Sequence, residues 1–166
     1  GPLRVIGDKK GGGATKILAR DPTLLMRLQE EVLLPVHLIH VIRNPYDNIA
    51  TMARRTGTQV EPQIERFDWL YEQIHSILED SGLPVYRMYQ EEFVSSPEIH
   101  IREMCEWLDL PIDPIYIDAC SDIVYEKPHR SRVHLEWDES SKDRVEEIIG
   151  KWAVLHRYSE NHPSKS

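Results

Sequence analysis

The sequence predicts an α/β fold in which helices cover both faces of a parallel sheet, a three-layer α/β/α arrangement. Strand-like runs alternate along the chain with helix-like segments, which is the pattern of βαβ units. The run at 36–42, "VHLIHVI", is almost continuously apolar, as is typical of a strand buried on both faces. Of the 166 residues, 40% are apolar and 29% are charged, an ordinary globular composition. We therefore expect one domain over residues 1–158 and a disordered tail at 159–166.

The amino-terminal part is predicted to contain a strand, a turn and a helix in two pieces. The run "LRVIG" at 3–7 is typical of a short strand, and "GDKKGGGATK" at 7–16 of a polar, glycine-rich turn. The segment 15–33 has a helical pattern that breaks near Asp21 and Pro22, because proline interrupts a helix.

The rest of the chain is predicted to alternate between helices and strands. After the strand at 36–42 we expect a helix over 45–55, because Asn44 is a good N-cap and Pro45 suits the first helical position. The segment 61–81 carries one apolar stripe at helical spacing. The remaining predicted elements are a strand at 83–89, a helix beginning at Pro97 with Ser96 as its cap, a helix at 113–124, an irregular segment at 125–139 and a helix at 141–157.

Composition and charge exclude several classes of function. The net charge of −8 argues against a nucleic-acid partner bound through bulk positive charge. No apolar run approaches the roughly 20 residues that span a bilayer, so no membrane insertion is expected. Cys105 and Cys120 fit no metal-binding spacing and the eight histidines form no recognisable ligand set, so no metal is expected. Two free thiols favour a reducing compartment, and we expect a cytoplasmic protein, with the Golgi lumen as the alternative.

Arg43 stands between the predicted strand at 36–42 and the N-terminus of the next helix. Such a terminus favours anions, because its N–H groups are unpaired and the helix dipole is positive there. Thr51 offers a hydroxyl about two turns along the same helix, and a guanidinium binds phosphate oxygens through a fork of donors. Two interpretations stay open at this point: a phosphate site, or an ion pair of Arg43 with a carboxylate such as Asp47 beside an ordinary surface threonine.

The segment "IHVIRNPYDNIATM" at 39–52 resembles the 3′-phosphate-binding segment of sulfotransferases that use 3′-phosphoadenosine 5′-phosphosulfate (PAPS). In that family a strand ends in Arg-Asn-Pro, an Asp follows two residues later, and a Ser or Thr lies eight residues after the Arg. The matching residues here are Arg43, Asn44, Pro45, Asp47 and Thr51. The resemblance implies that Arg43 and Thr51 bind the 3′-phosphate of the nucleotide.

Two later segments extend the resemblance, which covers residues 3 to about 158. "VYRMYQEEF" is similar to the family's later strand and acidic corner, and it implies that Tyr89, next to Gln90, contacts the adenine. "RSRVHLEW" at 130–137 resembles the family's C-terminal loop, in which an Arg seven residues before a Trp reaches the 3′-phosphate. Arg130 has that spacing to Trp137, and Arg132 is the substitute candidate.

The glycine-rich stretch "GDKKGGG" does not form a nucleotide-hydrolysing loop of the Walker A type, because Gly13 stands where that motif requires Lys. Families related by the resemblance place a catalytic carboxylate or His here, often beside a Lys. This implies that Asp8 is a general base for the acceptor and that Lys9 stabilises charge on the transferred sulfonate. The alternative is a solvated charged turn, which we favour for Lys10.

The resemblance implies a core like that of P-loop nucleoside triphosphatases, apparently without its first βα unit, so the family's 5′-phosphosulfate loop is expected before residue 1. We expect a sulfotransferase that moves a sulfonate from PAPS to a hydroxyl or amine of a small-molecule or glycan acceptor, without a metal. The alternative is a non-catalytic nucleotide-binding or protein-interaction module that keeps the fold. A nucleoside kinase-like phosphotransferase is disfavoured, because the glycine-rich stretch lacks the Lys that the Walker A motif requires.

Overall fold

A computed structural model describes residues 5–7 and 11–159 of the chain. It consists of eight α-helices, two strands and two 3₁₀-helices over these residues. In chain order they are α1 (Gly11–Arg20), α2 (Leu24–Val32), β1 (Leu38–Ile42), α3 (Pro45–Thr56), α4 (Glu61–Asp80), β2 (Val85–Tyr89), α5 (Gln90–Ser95), α6 (Pro97–Trp107), α7 (Pro114–Ser121), the first 3₁₀-helix (Ser131–His134), α8 (Glu139–Lys151) and the second 3₁₀-helix (Ala153–Tyr158).

The two strands form a parallel sheet, so the protein is α/β as predicted. Leu38 pairs with Val85 at one end of the register and Ile42 with Tyr89 at the other. The described residues form two strands, whereas at least three were expected. The predicted strand at 3–7 is wrong for residues 5–7, which lie outside any strand, and its first two residues lie outside the described part of the chain.

Burial along β1 differs from the prediction that both of its faces are covered. His40 and Ile42 are buried on one face, whereas Ile39 and Val41 on the other face are 45% and 51% exposed. Trp107 of α6 covers only the amino-terminal end of that second face, where its ring packs against His37 at a centroid distance of 4.9 Å. The apolar run therefore predicts more burial of β1 than the structure shows. Within the described residues, helices cover one face of β1 more fully than the other.

Helix α3 begins where the sequence predicts, directly after Asn44. The Asn44 side chain accepts hydrogen bonds from the backbone N–H groups of Tyr46 and Asp47, at 3.0 and 3.4 Å. Pro45 fills the first helical position, where a missing N–H has no cost. The helix ends at Gly57, whose φ of 66° is a left-handed conformation that glycine adopts without strain. These local signals fix the helix start immediately behind Arg43.

The main core lies between β1, α3, α4 and α8. Its fully buried side chains include Ile42, Ile49, Ile64 and Ile149. The stripe predicted on α4 supplies this core with Ile64, Phe67 and Tyr71. A smaller cluster joins α6 to α7. The main core thus holds the carboxyl end of β1 and the first turns of α3 in place.

Several element boundaries differ from those predicted, three of them most clearly. The expected turn at 7–16 is helical from Gly11 onward, because buried Thr15 donates its hydroxyl to Gly11 O at 2.8 Å and α1 packs against α4. Part of the expected irregular segment forms the first 3₁₀-helix. The helix expected at 141–157 instead spans 139–151 and then breaks, since Trp152 has an extended backbone.

The predicted cap at Ser96 is not made. Pro97 is the first residue of α6 as expected, but the Ser96 side chain accepts no capping hydrogen bond. In contrast, Asp138 caps α8 by accepting a hydrogen bond from Ser141 N–H at 2.7 Å.

Candidate functional site

The site lies at the carboxyl end of the sheet, where β1 and β2 finish on the same edge. In parallel sheets this edge is the usual place for ligands. Arg43 follows β1 at this edge and is half-buried. Its position between the strand and the first turn of α3 is set by the Asn44 cap and the buried Ile42.

The Arg43 guanidinium contacts two hydroxyl groups and one backbone carbonyl. Its Nη1 donates to Thr51 Oγ1 at 3.1 Å, and its Nη2 approaches His129 O at 2.9 Å and Ser131 Oγ at 3.3 Å. The two hydroxyl oxygens, Thr51 Oγ1 and Ser131 Oγ, are 2.9 Å apart. We call Arg43, Thr51, His129 and Ser131 the Arg43 cluster.

The positive charge of the Arg43 cluster is not neutralised by a direct ion pair. Among the described residues, Arg43 forms no salt bridge with a carboxylate, and its buried Nε has no hydrogen-bond partner. Burial lowers the pKa of the Arg43 guanidinium, and the nearby carboxylates of Asp47 and Glu91 oppose that effect. An arginine remains charged at any physiological pH. A half-buried cation beside two hydroxyls is therefore a suitable place for an anion.

Asp47 pairs with Arg132, which rules out the direct Arg43–Asp47 ion pair considered from the sequence. The buried Asp47 carboxylate accepts from Arg132 Nη1 at 2.6 Å and from the Arg132 backbone N–H at 2.8 Å. The carbonyl of Arg132 in turn accepts from Trp137 Nε1 at 3.1 Å. Arg132 therefore anchors the first 3₁₀-helix to α3, with the Nη1 of its guanidinium engaged by Asp47.

The other sequence-predicted residues lie at different places around this edge. Arg130 is exposed directly before the first 3₁₀-helix, without a hydrogen bond or ion pair to the described residues. Tyr89 ends β2 and donates its hydroxyl to Val154 O at 3.2 Å. The guanidinium of Arg157 lies 4.0 Å from the Tyr89 ring centroid. Asp8 and Lys9 lie outside the described residues.

Sequence reasoning missed Ser131 and His129. In "HRSRVH", His129 precedes the two arginines and Ser131 lies between them. Only the fold brings them to Arg43, which is 86 positions from His129 and 88 from Ser131. The ring nitrogen Nδ1 of His129 is 3.0 Å from Ser131 Oγ. The sequence signal that could have pointed to these two residues is the resemblance of this segment to the family's C-terminal loop.

Glu91 was also missed as a structural link at the site. One of its carboxylate oxygens accepts from the backbone N–H of Asn44 at 2.9 Å, and the other accepts from the Tyr158 hydroxyl at 2.6 Å. Burial and this carboxylate raise the pKa of Tyr158. Glu91 thereby fastens the second 3₁₀-helix to the start of α3.

A cavity of about 230 Å³ opens beside the Arg43 cluster, between the C-terminal half of α3 and the first 3₁₀-helix. Ser131 lines it together with Ala53, Arg54 and His134. The cluster and the cavity therefore share the Ser131 side chain, and solvent reaches Ser131 from this side.

The described part of the chain contains neither a metal site nor a helix that could span a membrane. It holds no group of three or more His, Cys, Asp or Glu side chains placed to bind a metal ion. None of the described helices is both long and apolar enough to cross a membrane. No protein-family model, curated protein or solved structure matches this chain.

Proposed function

We propose that this chain is a sulfotransferase-like protein that binds PAPS and its product adenosine 3′,5′-bisphosphate, with the 3′-phosphate held by the Arg43 cluster. In the complete catalytic unit the sulfonate passes to a hydroxyl or amine of a small-molecule or glycan acceptor. The proposal includes a three-layer α/β/α sheet of the sulfotransferase type. The parallel pairing of β1 with β2 and the alternation of strands with helices support it.

The observation that carries the proposal is the Arg43 guanidinium without a carboxylate partner. In a purely structural role this half-buried cation would be expected to pair with the nearest carboxylate, Asp47. Instead, Asp47 is engaged by Arg132, and Arg43 faces Thr51 and Ser131 hydroxyls. Hydroxyls and a guanidinium fork are the groups that bind phosphate oxygens.

The remaining roles are assigned from the resemblance and, for the arginines, from their positions. Arg132 acts by positioning the first 3₁₀-helix, whereas exposed Arg130 is available to a bound phosphate. Tyr89 is the candidate for contact with the adenine. In the transfer step the acceptor oxygen or nitrogen bonds to sulfur as the bond from sulfur to the bridging phosphate oxygen breaks. Asp8 takes the acceptor's proton, and Lys9 stabilises the charge on the transferred group.

Calorimetric titration of the chain with adenosine 3′,5′-bisphosphate and with adenosine 5′-monophosphate tests the proposal. We expect the bisphosphate to bind more tightly, and Arg43→Ala to remove about 1.5–3 kcal/mol of binding free energy for the bisphosphate alone. Thr51→Ala should remove roughly 0.5–1.5 kcal/mol, since a neutral group contributes less. Arg66→Ala is the matched control, because Arg66 is exposed on α4.

Equal binding of the two nucleotides, or an equal loss for both in Arg43→Ala, would overturn the 3′-phosphate assignment. A non-catalytic binding module is distinguished from an enzyme by incubating a protein that includes the expected 5′-phosphosulfate loop with PAPS and mixed phenol and amine acceptors. Formation of a sulfated product supports the enzyme. Bisphosphate binding without any product supports the binding module.

A further inference from the structure

We infer that His129 is a proton-carrying member of the anion site, so that binding of an anion at the Arg43 cluster is coupled to proton uptake by this imidazole. The inference rests on the proposed anion site, but it does not depend on which nucleotide the site takes. The starting observation is that His129 contacts the cluster twice. Its carbonyl accepts from Arg43 Nη2 at 2.9 Å, and its Nδ1 lies 3.0 Å from Ser131 Oγ.

The contacts of the Ser131 hydroxyl define what His129 controls. Ser131 is buried, and its oxygen is close to Arg43 Nη2, Thr51 Oγ1 and His129 Nδ1. A serine hydroxyl has a single hydrogen to donate. When Nδ1 of a neutral imidazole is an acceptor, that hydrogen is directed to His129. A protonated imidazole carries hydrogen on both nitrogens.

When the neutral ring carries its hydrogen on Nε2, proton uptake reverses the direction of this hydrogen bond. With hydrogen on Nδ1, His129 donates to Ser131 Oγ, and the hydroxyl hydrogen of Ser131 becomes available to a bound anion. The imidazolium also adds one positive charge beside the Arg43 guanidinium. Both effects favour an anion, and by linkage a bound anion favours the protonated ring.

The carboxylates near the site are engaged by other groups, so they do not form an ion pair with a protonated His129. Asp47 is paired with Arg132, and Glu91 accepts hydrogen bonds from Asn44 and Tyr158. His134 is the nearest other titratable ring, at a centroid distance of 6.3 Å from His129. Around the Arg43 guanidinium the charged groups are Asp47 and Arg55 of α3, Glu91 of α5 and Arg132 of the first 3₁₀-helix. His129 adjoins Arg130 in the chain, contacts Arg43 through its carbonyl and faces the His134 ring.

Sulfate is the appropriate probe, because its own charge stays constant in the range where histidine titrates. Its dissociation constant is measured for the full chain between about pH 5.5 and 8, where an ordinary imidazole changes charge. For the unmodified protein we expect affinity to rise as pH falls, by at most ~tenfold per pH unit for one linked proton. In His129→Gln that dependence is lost, because the amide is always neutral. His134→Gln is the matched control and keeps the dependence.

The outcomes separate this inference from the proposed function. A pH dependence of sulfate affinity that is the same with and without His129 overturns the inference. If the dependence follows His129 but adenosine 3′,5′-bisphosphate binds no better than the 5′-monophosphate, the nucleotide proposal fails and the inference stands. Absence of any sulfate binding overturns the inference, whereas the nucleotide proposal is decided by the titration with the bisphosphate. Should His129→Gln not fold, the His129 ring is titrated by NMR in the unmodified protein, and saturating sulfate must raise its midpoint.

Discussion

At the scale of single residues, the Asp47 carboxylate determines which of the neighbouring arginines is left without a carboxylate partner. It is buried and holds Arg132 through both the side chain and the backbone N–H. Removing one partner of a buried ion pair leaves the other charge uncompensated, which costs far more than the pair itself contributes. Asp47 therefore has a structural role and an electrostatic one at the same site.

We predict that Asp47→Ala lowers the free energy of unfolding by about 3 kcal/mol, because it leaves the largely buried Arg132 side chain unpaired. Urea unfolding followed by circular dichroism measures this loss. The control is the double variant with Arg132→Met, which should recover part of the stability, since the uncompensated charge is removed. If the two single losses simply add in the double variant, the residues are not coupled and the assigned pairing is wrong.

At the scale of elements, the start of α3 depends on the side chain of Asn44. We predict that Asn44→Ala costs about 1 kcal/mol of unfolding free energy, because the N–H groups of Tyr46 and Asp47 lose their acceptor. Asn44→Asp keeps an acceptor oxygen and should cost less. Both values come from chemical denaturation curves. A smaller loss for alanine than for aspartate would show that the cap does not stabilise the helix.

Adjacent positions of β1 should differ sharply in their contribution to stability. Ile42 is 1% exposed, whereas Val41 is 51% exposed on the opposite face. We predict that Ile42→Ala lowers the unfolding free energy by about 2–5 kcal/mol, because it opens a cavity in the core. Val41→Ala should cost less than ~1 kcal/mol. Equal losses at the two positions, measured by urea unfolding, would mean that the second face of β1 is covered.

The sequence predicts local structure better than it predicts which distant residues of the chain come into contact. Asn44, Pro45 and the stripe of α4 are local signals, and the corresponding helices begin and pack as expected. The contact between Arg43 and Thr51 follows from the position of Arg43 just before the helix that carries Thr51, although their role in binding stays a prediction. Ser131 and the Asp47–Arg132 pair depend on contacts across more than 80 residues, which no local pattern specifies.

At the scale of the whole molecule, the stability of the fold should depend on the protonation of His40. His40 is buried against Tyr71, and its Nδ1 has no hydrogen-bond partner among the described residues. Burial, with a smaller effect from Arg87, lowers the pKa of His40 from 6.5 to about 4. The unfolded chain therefore binds a proton below about pH 6.5 that the folded protein takes up only near pH 4.

We predict that this histidine contributes stability above about pH 6.5 and that the contribution is lost as pH falls toward 4. The full loss is about 3 kcal/mol, from the free energy that corresponds to each unit of pKa difference. Urea unfolding across this pH range measures it. The difference between the unmodified protein and His40→Gln isolates the histidine from titrating carboxylates. Parallel pH profiles for the two proteins would contradict the prediction.

The sequence predicted the α/β fold class correctly, but it did not predict how many strands form or how fully they are buried. Alternating patterns correctly indicated α/β structure and parallel pairing of the runs around 36–42 and 83–89. The apolar run of β1 was interpreted as buried on both faces, because a sequence pattern records hydrophobicity and not what packs against it. The exposed side chains of Ile39 and Val41 show that difference directly.

The two hydrogen bonds from Arg132 to Asp47 have a consequence for which substitutions this protein can accept during evolution. One of the two bonds to Asp47 comes from a backbone N–H, which every residue except proline provides at position 132. The other requires a cationic side chain. Selection should therefore tolerate a wider set of replacements at position 132 than at position 47, where shortening or neutralising the carboxylate weakens both bonds. Among diverging descendants of this sequence, the acidic residue should persist longer than the arginine it holds.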